Sequence, residues 1–216
     1  MLGIYKYMQI LRYSVWLTAL SLWSIVNAAD LASVDTNRFH SPTAGFTIIK
    51  PKDWQFASAQ QIATNRATAR LKDKELEELI KQRASAPLVV VTKHQEPHDD
   101  LNPSVQVIMR PLGQLEDRSA VELMGMIVPT LQRAMADFTF VEQVKQTKVG
   151  EVPAAYLKAK YTVANPEGRE FKTLTRMWVV PRGAFMFMIS MSGPQEGSDV
   201  SEREFSAILE SIKIDK

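Results

Sequence analysis

From Ala155 to Val163, small and apolar residues at every second position alternate with Tyr156, Lys158, Lys160 and Thr162. That two-residue period predicts a long strand with one face buried. Asn165-Pro-Glu-Gly168 is a reverse turn, after which Phe171 to Val180 pairs back antiparallel. Pro181-Arg-Gly183 turns again into Ala184 to Met191, which is apolar on both faces and so belongs in the middle of a sheet. Strands over 154–164, 170–180 and 184–192 are therefore expected as consecutive antiparallel neighbours, because tight turns join them. Asp199 and Ser201 cap a final helix over 200–212, which presents Phe205, Ile208, Leu209 and Ile212 on one face.

The first half of the chain alternates between the two periods. Residues 29–44 are polar and aperiodic and read as an arm. Gly45 opens a strand that ends at Pro51, and Trp54 is placed to pack down on the sheet. Residues 64–83 are rich in helix formers, with Leu71, Leu76, Leu79 and Ile80 as an apolar stripe, and predict an amphipathic helix. Leu88 to Thr92 and Ser104 to Arg110 are strands on either side of a polar loop, 93–100. Ser119 and Glu122 form a capping box for a helix whose core positions are Ala120, Leu123, Met124, Ile127, Leu131 and Met135, with Pro129 expected to kink it. Phe138 to Val141 then returns to strand period, and Gly150 marks a turn.

Strands apolar on both faces need cover on both sides, and three amphipathic helices supply it. The expected fold class is α+β: a three-layer α/β/α sandwich with a mainly antiparallel central sheet. Neither an internal repeat nor a second domain is visible, so residues 45–216 read as one domain.

The first residues change the reading of compartment. Residues 1–28 carry Lys6 and Arg12 and no acid, and Ser14 to Val26 is an uncharged run of 13 residues. A membrane-spanning helix needs about 20 apolar residues. Val26-Asn27-Ala28 has the small-residue pattern of a signal-peptidase site, so the segment reads as a secretory signal cut after Ala28. An uncleaved segment anchoring the protein in the inner membrane is the alternative. The expected location is the periplasm or the cell exterior. Without Lys6 and Arg12 the remaining basic side chains equal the 24 acidic ones, so the processed chain is formally neutral. Neutrality argues against nucleic acid and against strong anionic-membrane binding. The chain has no cysteine, which excludes thiol nucleophiles, zinc–thiolate and iron–sulfur sites, disulfides and a lipoprotein anchor.

Gly45-Phe-Thr-Ile-Ile-Lys-Pro-Lys-Asp-Trp54 is similar to the Gly-Phe-x-Ile-x-x-Pro-x-x-Trp opening of PsbP-like domains. Gly150-Glu-Val-Pro-Ala-Ala155 resembles their turn before a long strand. The aromatic strand Phe185 to Met191 and the closing helix through Ile208-Leu-Glu-Ser-Ile-Lys-Ile214 also match. The resemblance spans residues 45–214. It extends to a superfamily with the extrinsic photosystem protein PsbP, Mog-type Ran-binding proteins and exported bacterial proteins of the DcrB and LpqN kind. It implies a PsbP-like fold and a small non-catalytic module that assists a larger assembly. It carries over no functional residue, and the helix at 64–83 is longer than a minimal domain of this type requires.

Candidate chemistry is sparse. His94-Gln-Glu96-Pro-His98-Asp99-Asp100 gathers imidazoles and carboxylates, donors that suit zinc, copper or manganese. Pro97 stands between the histidines and opposes the helix that would align them, so the stretch reads as a solvated loop and no metal is expected. His94, His98 and Asp99 are the weak candidates. His40 lies in the arm. Ser190 and Ser192 have no nucleophile elbow, and no glycine-rich phosphate loop exists. Glu77-Glu78 and Asp99-Asp100 read as solvated pairs. Met186, Met188 and Met191 offer soft sulfur for copper, but their alternation with Phe185 and Phe187 reads as core filling. No catalytic residue and no cofactor is expected. The chain reads as an exported accessory or binding module acting on an unidentified protein partner in the cell envelope. Its partner surface is expected on the arm and the 64–83 helix. A metal-dependent or hydrolytic periplasmic enzyme, with a site assembled from distant residues, is the alternative.

Overall fold

The computed structural model describes residues 36–215, apart from 69, 76, 79–85, 166 and 197–201. The signal segment 1–28, the start of the arm, Leu76, Leu79, Ile80 and the capping pair Asp199 and Ser201 lie outside the described residues.

A seven-stranded antiparallel sheet forms the centre, in the order β3(Gln55–Phe56), β4(Val89–Thr92), β5(Ser104–Pro111), β9(Phe185–Pro194), β8(Glu170–Arg182), β7(Val152–Ala164), β6(Ala136–Val149). The last four in the chain are successive hairpin neighbours, with Tyr156 opposite Trp178 and Trp178 opposite Ile189. The apolar strand β9 is the middle one, as its two apolar faces require. Gly150 and Gly183 make the β6–β7 and β8–β9 turns with φ of +56° and +54°, a conformation that costs a side-chain-bearing residue about 1 kcal/mol or more.

One face of this sheet is covered by α2(Ala120–Ala134), through Ala120, Leu123 and Met124 against Ala155, Leu157, Ala159 and Val179. Its capping box is formed as expected, with Ser119 accepting from the Glu122 N–H and Glu122 accepting from the Ser119 N–H. The helix continues through Pro129, whose ring is exposed, to Ala134.

The other face is covered by α3(Glu202–Ser211) together with a second, three-stranded sheet, β1(Arg38–Ser41)–β2(Phe46–Ile49)–β10(Lys213–Ile214). The Phe46 and Phe187 rings lie 5.2 Å apart, tilted by 36°, and Trp54 meets Phe205 edge-on at 5.9 Å. Phe205, Ile208 and Ile212 are buried in the same cluster. The architecture is an α+β sandwich in which the second outer layer is part helix and part sheet.

Two expectations are corrected. The arm does not stay outside the domain: Arg38–Ser41 pairs with β2, and Phe39 packs on Phe56 with centroids 6.3 Å apart. A four-residue strand carries too little periodicity to stand out in sequence, and its partner supplies the missing hydrogen bonds. The helix expected over 64–83 begins earlier and breaks inside that range. Ser58 and Gln61 exchange capping hydrogen bonds at 2.7 and 3.2 Å, and α1(Ala59–Thr68) follows. Arg70 then bridges to Ala164, Lys72 N–H donates to the Ala134 carbonyl, and the buried Glu77 carboxylate accepts from Leu71 N–H at 2.7 Å. Tertiary partners override helix propensity there.

Candidate functional site

The loop that holds the candidate metal ligands is organised by Asn102. Its amide accepts from His94 N–H and donates to the His94 carbonyl and to Glu96. Glu96 in turn accepts from His98 N–H at 3.0 Å. The two imidazoles lie face to face, with centroids 4.3 Å apart and planes 18° from parallel. Arg169 donates to the Asp99 backbone carbonyl at 2.7 Å and lies 3.9 Å from the Asp100 carboxylate. Among the described residues no group of three or more acidic and histidine side chains is placed to hold a metal ion.

The other sequence candidates disperse. His40 Nδ1 is 2.9 Å from the Thr47 hydroxyl, inside the small sheet. Ser192 Oγ lies 2.8 Å from Thr175 Oγ1, and both contact the Tyr161 hydroxyl, whose acidity burial suppresses. Glu77, expected to be solvated, is instead buried and held by Arg70 and Lys74. Met186 and Met188 pack on the α2 side, Met191 on the α3 side, so the three sulfurs do not converge.

A groove of about 350 Å³ lies elsewhere, on the α3 side of the sheet. Its floor is Tyr156, Lys158, Arg176, Trp178 and Met191 from β7, β8 and β9; Glu142, Lys145, Thr147 and Lys148 of β6 form one wall, and Glu202, Phe205, Ser206 and Leu209 of α3 the other. The wall from β6 follows from irregular pairing. Its register against β7 shifts between Ala136 and Thr139, Phe140 and Glu142, and Glu142 and Lys145. Such bulges bend a strand and increase its twist.

The groove is aromatic beneath and charged above. Tyr156 and Trp178 rings lie 5.0 Å apart, with the Lys145 ammonium 5.0 Å from the Tyr156 ring and the Arg176 guanidinium 5.2 Å from Phe205. Glu142 pairs with Lys145 and accepts from the Tyr156 hydroxyl at 3.3 Å. Lys145 is the main cause that holds the Glu142 carboxyl below its ordinary range. Burial, helped by Glu142, pushes the Tyr156 phenol up to about 12. It stays protonated at neutral pH and is a hydrogen-bond donor, not a base. Arg176 pairs with Glu202, and Lys158 reaches the same carboxylate at 3.7 Å. None of the histidines lines this groove. In sequence, Tyr156 and Lys158 share one strand face and Phe205 and Leu209 one helix face, and nothing in that pattern brings them together with the rest of the lining.

No family model and no curated protein matches the sequence. Solved structures are similar in backbone course. Cyanobacterial PsbP (CyanoP) from Synechocystis sp. PCC 6803 matches with a TM-score of 0.50 at 12% identity, over 88% of this chain and 98% of that one. LpqN, involved in cell envelope biogenesis of Mycobacterium tuberculosis, matches with a TM-score of 0.45 at 14% identity, over 81% of this chain and 87% of that one. A protein from Bacteroides thetaiotaomicron VPI-5482 matches with a TM-score of 0.44 at 15% identity, over 84% of this chain. The matched region is 49% of that protein, about half its length. At such identities the likeness concerns architecture alone, and CyanoP is matched along nearly its whole length: the chain has a PsbP-like fold.

Proposed function

We propose that this chain is an exported, non-catalytic accessory module that acts in the cell envelope through protein–protein contact. The observation that carries the reading is the groove between β6 and α3, an open concave surface with an aromatic floor and a charged rim. Aromatic and arginine side chains in a concave setting are the residue types that dominate binding energy at protein interfaces. The protonated Tyr156 and the paired lysines suit recognition better than proton transfer. Export rests on the signal-like segment 1–28; among the described residues, no helix is long and apolar enough to cross a membrane.

The test is site-directed photo-crosslinking in the native envelope. A photoreactive residue at Lys148, on the groove rim, should yield a discrete protein adduct. The same residue at Met126, exposed on α2 on the opposite face, should not. Equal labelling from both sites, or turnover of ester, phosphate, glycoside or peptide substrates by the purified chain, would refute the reading.

A further inference from the structure

The ion pair between Arg176 and Glu202 is asymmetric. The arginine side chain is 9% exposed and the glutamate side chain 68% exposed. A guanidinium so withdrawn from water requires a counter-ion. Here that counter-ion is a largely solvent-exposed side chain in the first turn of α3. Lys158, directly opposite Arg176 in the β7–β8 register, shares the same carboxylate. The groove as a whole has Lys145, Lys148, Lys158 and Arg176 against Glu142 and Glu202, an excess of positive charge in a chain whose processed form is otherwise balanced.

We propose that Arg176 and Lys158 form a carboxylate subsite, occupied in the free protein by Glu202, that accepts an acidic side chain from an extended segment of a partner protein. This rests on the protein-contact reading above and adds the chemistry of the partner. The cations are spread over β6, β7 and β8 and do not converge on one point, which suits carboxylates spaced along a chain and not a single phosphate. Tyr156 faces Lys145 across β6 and β7, and Lys158, two residues further along β7, faces Arg176 across β7 and β8. Lys145 and Arg176 are thus offset by about 7 Å along the strands and, being two strands apart, by about 10 Å across them, or about 12 Å in all, close to the span of residues i and i+4 in an extended peptide. A segment alternating acidic and apolar residues, laid obliquely over β7, therefore places one carboxylate on Arg176 and the second one after it near Lys145. The segment displaces Glu202, and Trp178 and Tyr156 lie beneath it.

The experiment is fluorescence anisotropy with a labelled peptide of alternating glutamate and leucine, and with its lysine-for-glutamate counterpart as control. Lys158→Met and Arg176→Met should each weaken binding about tenfold. Glu202→Gln, which leaves the cations in place and removes their internal competitor, should tighten it by roughly threefold or more. Binding should weaken as salt is raised. If Arg176→Met does not fold, Lys158→Met and Glu202→Gln decide the matter alone. Weaker or unchanged binding by Glu202→Gln overturns the proposal, as does equal binding of the lysine peptide. Binding to phosphatidylglycerol vesicles but not to the glutamate peptide overturns it as well. The crosslink from Lys148 is independent: its presence with no peptide binding sinks the subsite and leaves the protein-contact reading standing.

Discussion

Lys93, at the end of β4, holds two elements with one ammonium. Its Nζ is 2.7 Å from Asp53 and 2.7 Å from Glu204 of α3, and Glu204 also accepts from the Trp54 indole at 3.3 Å. The Asp53 carboxyl is held below its ordinary value, chiefly by the Lys93 hydrogen bond. Burial alone would lower Lys93, but the hydrogen bonds to Asp53 and Glu204 outweigh it and raise the group. The depressed carboxyl contributes stability above its ordinary value of 3.8, lost as pH falls through its lower folded value. The raised lysine contributes below its ordinary 10.5, lost as pH rises through its higher folded value. The clamp is thus constant across the neutral range. Lys93→Met should lower stability at pH 7 by about 1–2 kcal/mol in urea unfolding. The gap to the parent should narrow at about pH 3. A gap that stays equal at both pH values contradicts the clamp. Trp54 and Phe205 were each readable as core residues from sequence; that a lysine and two carboxylates close over them was not, since Asp53, Lys93 and Glu204 come from three separate segments.

At the scale of elements, local signals decided most of what was legible. The Ser119–Glu122 box starts α2 because both partners lie within one turn, so Ser119→Ala should cost about 1 kcal/mol in chemical denaturation with the fold unchanged by circular dichroism. Ser58 and Gln61 form a similar pair ahead of α1, a signal present in the sequence as Ser-x-x-Gln but overshadowed by the richer helix-forming run after it. The small sheet was not legible. The sequence marks β2 as a strand but not its neighbours, which are β1 and the C-terminal β10, reached from opposite ends of the domain. Gly45 sits at this junction with φ +60°, and a Cβ there would lie 3.2 Å from Arg182. Since Phe39 packs on the core, deletion of residues 29–40 should lower the melting temperature by roughly 5 °C or more. A melting temperature equal to that of the intact protein would show that β1 contributes nothing to stability.

For the whole molecule, the first testable property is processing. Intact-mass measurement of the protein recovered from the periplasm should show Ala29 as the first residue, and a chain retaining Met1 in the membrane fraction would contradict it. The meander of β7, β8 and β9 and the packing of the closing helix follow from sequence because alternation, tight turns and amphipathic period are properties of neighbouring residues. The central place of β9 follows from its two apolar faces for the same reason. Residues brought together across strands depend on register and on bulges, which are set by pairing between distant segments. Lys158 and Arg176 stand side by side only because β7 and β8 pair in one register, and Glu202 meets them only because α3 folds back over that face. The sequence by itself determined the long strands of the main sheet, α2, α3 and the sandwich class, while β1, β10 and the break after α1 depended on tertiary partners. The groove, its excess of positive charge and its internal counter-ion were decided by tertiary structure, because a shared surface belongs to no single stretch of chain.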